Sequence, residues 1–183
     1  MNALLVMDMQ VGIVERIGDD GVVERVAEAI TAAREAGMKV VYVRVAFRDG
    51  YPEISSRNRT FSALSGAGGF ADGDAATQIH PAVAPEPGDV VVVKRRVSAF
   101  TGSDLEVVLR AAKVDSLVLT GIATSGVVLS TLREAADRDF GLTVLSDACA
   151  DADPEVHRVL TEKVFPRQAN VSTVAEWAPS RTP

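Results

Sequence analysis

The sequence predicts an α/β domain built on a parallel sheet, and two patterns carry that prediction. Five or six runs are apolar at consecutive positions rather than at alternate ones, which is typical of strands covered on both faces. Most of these runs are separated by segments whose apolar residues recur every three or four positions, the period of an amphipathic helix. The chain has 183 residues, so we expect one domain spanning residues 1–183.

The predicted strands are rich in Val, Leu and Ile, which favour strands. In chain order they cover Ala3–Met7, Lys39–Ala46, Val90–Val93, Ser116–Leu119, Leu142–Leu145 and, most weakly, Asn170–Val174.

The predicted helices have recognisable ends. They cover residues 22–33, 105–112, 128–136 and 154–164. The first leads to Gly37, a residue that favours helix ends, and the last begins at Pro154, whose missing N–H costs nothing in a first turn. Polar residues that can cap a helix precede the other two.

The segment from Phe47 to Asp89 interrupts this alternation. It is rich in Gly and Pro and longer than most connections in compact domains. We interpret it either as a segment that covers a functional site, with a short helix near Ser56–Leu64, or as an oligomer contact.

Composition excludes several classes of protein. A net charge of −6 argues against binding to nucleic acid, because a phosphate-binding surface needs an excess of basic residues. No run is long enough to span a membrane, and Ala3–Met7 is too short for the core of a signal peptide. The single cysteine, Cys149, cannot form an internal disulfide. We therefore expect a cytoplasmic protein that contacts neither nucleic acid nor membrane.

Chemistry-bearing residues follow three of the predicted strands. Asp8 and Gln10 leave the first strand, Lys94 leaves the third, and the fourth ends in a glycine turn that opens a helix. Because ligands of open α/β sheets collect beyond the carboxyl ends of the strands, these residues form a candidate site. Two alternatives remain open: Asp8 can be a simple turn former, and Lys94 can belong to a solvated basic edge with Arg95 and Arg96.

Three stretches resemble one family over almost the whole chain. They are LLVMDMQ, VVVKRRVSAF and LVLTGIATSGVVLSTLREAADRDFGLTVLSDACAD, and they are similar to the isochorismatase-like hydrolases, also called the cysteine hydrolase superfamily. The resemblance implies a Rossmann-like three-layer α/β/α sandwich with a six-stranded parallel sheet. It also implies a homo-oligomer, either a dimer or a tetramer, and a site made of an aspartate, a lysine and a cysteine. Asp8 and Lys94 match the first two.

The third residue of the family's site does not match. The family's thiol enzymes carry the nucleophile six residues after the turn glycine, and Val127 stands at that position here. We interpret Cys149 as a small buried residue with an inert thiol. Thr124 and Ser125 lie near the turn, but a hydroxyl nucleophile needs an adjacent base, and we expect both histidines to lie elsewhere. We therefore interpret these hydroxyls as helix caps.

No cofactor or metal is predicted. The nicotinamidase branch of the family uses an acid and histidines in the loop after the second strand, and this chain has no histidine there. Neither a dinucleotide fingerprint nor a phosphate loop is present.

Two main functions remain, and amide hydrolysis by Ser125 or Thr124 is a third. The first is hydrolysis of a small anionic or carbonyl-bearing molecule without a covalent thiol intermediate, as the isochorismatase branch implies. In it, Asp8 acts as acid or base, Lys94 is its partner, and Gln10, Ala123 and Val127 contact the substrate. The second is a catalytically silent relative that binds a small molecule or serves in an assembly.

Overall fold

The computed structural model describes residues 1–178. A six-stranded parallel sheet forms the centre of the protein. The last five residues of the expected domain, 179–183, lie outside the described part. The strand order is β3-β2-β1-β4-β5-β6. The strands are β1 (Asn2–Met7), β2 (Lys39–Val45), β3 (Val90–Lys94), β4 (Ser116–Ile122), β5 (Gly141–Ala150) and β6 (Asn170–Ser172).

Helices cover both faces of this sheet. They are α1 (Val11–Ile17), α2 (Asp20–Glu35), α3 (Arg59–Ala67), α4 (Leu105–Ala111), α5 (Leu129–Ala136), α6 (Pro154–Val159) and α7 (Val174–Trp177). One apolar core lies between the sheet and the buried face of α2, and a second lies between the opposite face and helices α4 and α5. The predicted three-layer fold with six parallel strands is therefore confirmed.

Several element ends differ from the prediction. Strand β5 continues to Ala150, five residues beyond the predicted end, because a register shift lets it follow β4 to its last residue. Strand β6 stops at Ser172, since Thr173 caps α7 in a reciprocal capping box with Glu176. Helix α3 begins later than expected because the Asn58 side chain accepts a hydrogen bond from the third residue of the helix.

The position of β1 determines where a ligand can bind. Strand β1 pairs with β2 on one side and with β4 on the other, so the strand order reverses between β1 and β4. Ligand sites in open parallel sheets lie at such reversals, beyond the carboxyl ends of the strands. Among residues 1–178, no helix combines the length and apolar composition that crossing a membrane requires.

Candidate active site

A cavity of about 490 Å³ opens at the carboxyl ends of β1, β3 and β4. Helix α1 and the segment around α3 form its walls, so part of the long segment 47–89 covers it, as one of the two interpretations expected. The cavity is lined by Asp8, Ile13, Arg16, Ile17, Val45, Thr60, Phe61, Ala63, Leu64, Ala67, Gly68, Phe70, Lys94, Val97, Ile122, Ala123, Gly126 and Val127.

Asp8 and Lys94 meet in a buried ion pair within this cavity. Asp8 Oδ2 lies 2.9 Å from Lys94 Nζ, and the two residues are 6% and 2% exposed. Lys94 is the last residue of β3, two strands from β1, and strand spacing separates their axes by about 9–10 Å. The long lysine stem closes that gap, so the side chains meet as expected from their positions.

The Asp8 carboxyl keeps one oxygen free. Lys94 Nζ bonds Oδ2 and also donates to the carbonyl of Arg96 at 2.9 Å, whereas Oδ1 is buried and has no hydrogen-bond partner among residues 1–178. Burial raises the pKa of Asp8 above its usual value, and the charge and hydrogen bond of Lys94 oppose that rise only in part. The carboxyl therefore holds a proton more readily than an ordinary aspartate and has a free oxygen for a ligand.

The residues after Lys94 do not form a solvated basic edge. Arg95 lies 3.3 Å from the carboxylate of Glu53 and also donates to the carbonyl of Ala46. Arg96 donates to the carbonyl of Glu53 at 2.8 Å. Both arginines thus fasten the beginning of segment 47–89 to the end of β3.

The side-chain amide of Gln10 forms hydrogen bonds with backbone groups and does not point into the cavity. Its Nε2 donates to the carbonyls of Val45 and Thr77 at 2.9 and 2.8 Å, and its Oε1 accepts from the N–H of Val45 at 2.8 Å. Gln10 is fully buried and is not part of the cavity lining. The expected substrate contact of Gln10 is thus not present in this geometry, and its amide instead fixes the start of α1.

Gly121 lies within β4, paired with Met7 of β1. A Cβ on Gly121, whose φ is 129°, would lie 1.9 Å from the carbonyl oxygen of Met7, so only glycine fits there. The following peptide bond, Ile122–Ala123, is cis. Both Ala123 and Val127 line the cavity.

The structure contradicts the expectation that His157 lies away from the turn, whereas His80 does lie elsewhere. The Nδ1 of His157 lies 2.8 Å from Thr124 Oγ1 because α6 packs against the turn at residues 124–128. Burial lowers the pKa of His157, and the negative charges of Asp151 and Asp19 oppose this decrease only in part. Neither Thr124 nor His157 is part of the cavity lining. A hydroxyl next to a base therefore exists, but outside the cavity.

Cys149 is a buried residue of β5, as predicted. It pairs with Gly121 across the sheet, and its Sγ lies 3.9 Å from the carbonyl of Leu119. Burial raises the pKa of the thiol to about 12. Within residues 1–178, no three or more His, Cys, Asp or Glu residues are placed so that they could hold a metal ion.

Sequence reasoning missed the walls of the cavity. Ile13 and Ile17 come from α1, which was not predicted, although their four-residue spacing is a helical signal. Phe61 and Leu64 come from α3, which was predicted without a role in the site. Arg16 carried no sequence signal at all.

Comparisons with known proteins agree on one family. A family model described as the isochorismatase domain matches residues 2–176. The chain is 35% identical over 179 residues to an uncharacterized isochorismatase family protein, YecD, of Escherichia coli O157:H7, a match that covers 95% of this chain and 93% of that protein. It is 32% identical over 204 residues to the ureidoacrylate amidohydrolase RutB of Stutzerimonas stutzeri, with 97% and 79% covered.

A solved structure gives the same result for the fold. The crystal structure of a cysteine hydrolase from Pseudomonas syringae pv. phaseolicola superimposes with a TM-score of 0.87 at 27% sequence identity. The match covers 96% of this chain and 89% of that one.

Proposed function

Because the chain belongs to the isochorismatase family of hydrolases, we propose that it hydrolyses a small anionic or carbonyl-bearing molecule without a thiol nucleophile. Asp8 is the acid and base of this reaction, and Lys94 is its electrostatic partner. The observation that carries the proposal is the buried Oδ1 of Asp8 in the cavity lining, which has no hydrogen-bond partner in the described part of the chain. Buried carboxyl oxygens normally have partners, so a free one in a cavity favours contact with a ligand.

Asp8 transfers protons in both directions in this proposal. The protonated carboxyl donates its proton through Oδ1 to the substrate, and water adds to the activated carbon. The carboxylate then takes a proton from the added water, which restores the acid. The adduct breaks the bond between that carbon and the leaving oxygen or nitrogen, and the leaving atom takes the proton of the adduct's hydroxyl group. The Lys94 side chain lies beside the carboxylate and stabilises it while Asp8 is ionised, and the raised pKa of Asp8 supports the donating step.

Ala123 and Val127 contact the substrate in this proposal. Both line the cavity, and by resemblance Val127 occupies the position of the nucleophile in the family's thiol enzymes. Valine has no nucleophilic atom, and the only cysteine of the chain lies outside the cavity lining. Water is therefore the nucleophile that this cavity favours.

The test compares two aspartate variants on a panel of isochorismate, nicotinamide, a ureido acid and a maleamate-type amide. Asp8→Asn keeps the shape of the side chain but removes the proton transfer, so we expect turnover to fall by at least about a hundredfold. Asp49→Asn is the matched control, since Asp49 is exposed and outside the cavity lining. Product is measured by chromatography and folding by urea unfolding. Saturable turnover that survives Asp8→Asn would refute the mechanism.

A binding or assembly protein is the second candidate function. The absence of a thiol from the cavity lining favours it, since family members called cysteine hydrolases depend on one. It predicts that a ligand raises the melting temperature without forming product, whereas Asp8-dependent turnover excludes it. A dimer or tetramer stays a prediction, which analytical ultracentrifugation tests.

A further inference from the structure

We infer that the substrate is an apolar molecule with an acidic group at one end, and that Arg16 determines specificity by binding that group at the mouth of the cavity. This inference rests on the proposed function, because the hydrolysed bond has to lie at Asp8 and Lys94.

The cavity divides into a polar floor, apolar walls and a single cation at the mouth. Asp8 and Lys94 are almost fully buried, whereas Arg16 is exposed. Among the described residues of the lining, the only other side chain with a polar group is that of Thr60. A molecule that reaches from the mouth to the floor therefore crosses an apolar region and meets charge at each end.

No residue in the described range 1–178 neutralises the charge at the mouth. Asp8 and Lys94 form an ion pair with each other, so Arg16 supplies the remaining formal charge of the lining. In residues 1–178, Arg16 has no ion pair or hydrogen bond from its side chain, whereas Arg25 and Arg34 of the next helix are paired with carboxylates. The Arg16 guanidinium is free to bind a carboxylate through two parallel hydrogen bonds.

Helix α1 holds Arg16 toward the cavity. Ile13, Arg16 and Ile17 are spaced three and four residues apart, so they share one face of the helix, and all three line the cavity. The start of α1 is fixed by the three hydrogen bonds of Gln10. At Gly12, a Cβ would lie 2.7 Å from the Cβ of Ala76, so the helix lies directly against the segment that covers the site.

Arg16 acts on an anion only at short range, because salt screens the charges of the protein. The net charge is −6, and at physiological salt such a field is screened within about 8 Å. Arg16 therefore acts at contact distance, where an acid gains an ion pair and a neutral molecule of the same shape gains nothing.

The test uses hexanoate and 2-heptanone as probes, because they match in size and differ in charge. Calorimetry at low salt measures both dissociation constants for the wild type, Arg16→Gln and Arg167→Gln. We expect the wild type to bind hexanoate roughly fivefold more tightly than 2-heptanone, which corresponds to about 1 kcal/mol. Arg16→Gln should abolish this preference. Arg167→Gln should keep it, since Arg167 is exposed, makes no ion pair in the described residues and lies outside the lining.

Three results would overturn the inference: equal affinities in the wild type, no binding of hexanoate, or a preference that Arg16→Gln leaves intact. The last result would assign the carboxylate to Lys94 instead. These are binding measurements, so they are independent of turnover. A preference for hexanoate that does not depend on Arg16 contradicts the inference alone. Turnover that does not depend on Asp8 contradicts the proposed function.

Discussion

Removal of the Lys94 ammonium tests how much the buried ion pair with Asp8 contributes to the free energy of unfolding. Lys94→Met keeps an unbranched stem of similar length in a residue that is 2% exposed. It deletes the group that lies 2.9 Å from Asp8 Oδ2 and donates to the carbonyl of Arg96. Loss of one partner of a buried pair costs about 3–5 kcal/mol, and an unbonded buried carbonyl costs about 1–3 kcal/mol. The contact with Arg96 is only partly buried, so we take about 1 kcal/mol for it and expect a total loss of about 4–6 kcal/mol near neutral pH.

The loss should depend on pH in a defined direction. Lys94 lowers the pKa of Asp8, so its removal raises that pKa further above the value in the unfolded chain. The folded variant then binds more protons than the unfolded chain. The resulting stability is complete below the unfolded pKa of about 3.9 and is lost as the pH rises through the folded pKa. The variant should therefore recover up to about 1.4 kcal/mol for each pH unit below neutrality.

Urea unfolding monitored by circular dichroism at about pH 5 and about pH 7.5 measures this difference. The double variant Asp8→Asn/Lys94→Met removes both charges and should be more stable than Lys94→Met alone at the higher pH. Lys163→Met is the matched control, because Lys163 is exposed and should change stability by less than about 0.5 kcal/mol. Equal losses at both pH values, or a double variant less stable than the single one, would refute the reasoning.

Three further substitutions test the packing and the charges around the cavity. In the Val127→Cys variant, the new thiol should react with iodoacetamide at least about tenfold faster than Cys149, because burial raises the pKa of Cys149 to about 12. Peptide mass spectrometry measures the ratio of the two labelling rates, and equal labelling contradicts the prediction. Gly121→Ala should lose at least about 3 kcal/mol in urea unfolding, because its Cβ would lie 1.9 Å from the oxygen of Met7, and near-native stability would be inconsistent with that contact. Burial lowers the pKa of His157 in the folded protein, so its contribution to stability is present above about pH 6.5 and is lost as the pH falls. The melting temperature of His157→Asn should therefore decline less steeply with falling pH than that of the wild type, and identical profiles would count against this.

The sequence was sufficient to predict the fold and the polar floor of the cavity. Apolar runs alternating with helical periods predict a parallel sheet, because each strand has to be covered on both faces. A parallel sheet brings the carboxyl ends of its strands to one edge. Asp8 and Lys94 were therefore assigned to the same edge without knowledge of any contact.

Contacts between distant segments were beyond the reach of the sequence. Gln10 follows β1 at the same edge as Asp8, yet its amide bonds Val45 and Thr77 because segment 47–89 folds back beside α1. His157 was expected to lie away from the turn, yet it bonds Thr124 because α6 packs there. Neither contact follows from a periodic pattern, since each depends on how a loop returns to the sheet.

The sequence by itself determined the alternation of strands and helices, the single cysteine and the residues that follow each strand. Only the tertiary structure decided that the Asp8 carboxyl keeps a free oxygen, that its pKa rises, and that Arg16 lies at the mouth of the cavity. The physical reason is that strand patterns are local and periodic. In contrast, every segment that packs around a site determines how deeply a charged group is buried, and burial determines the energy of that charge.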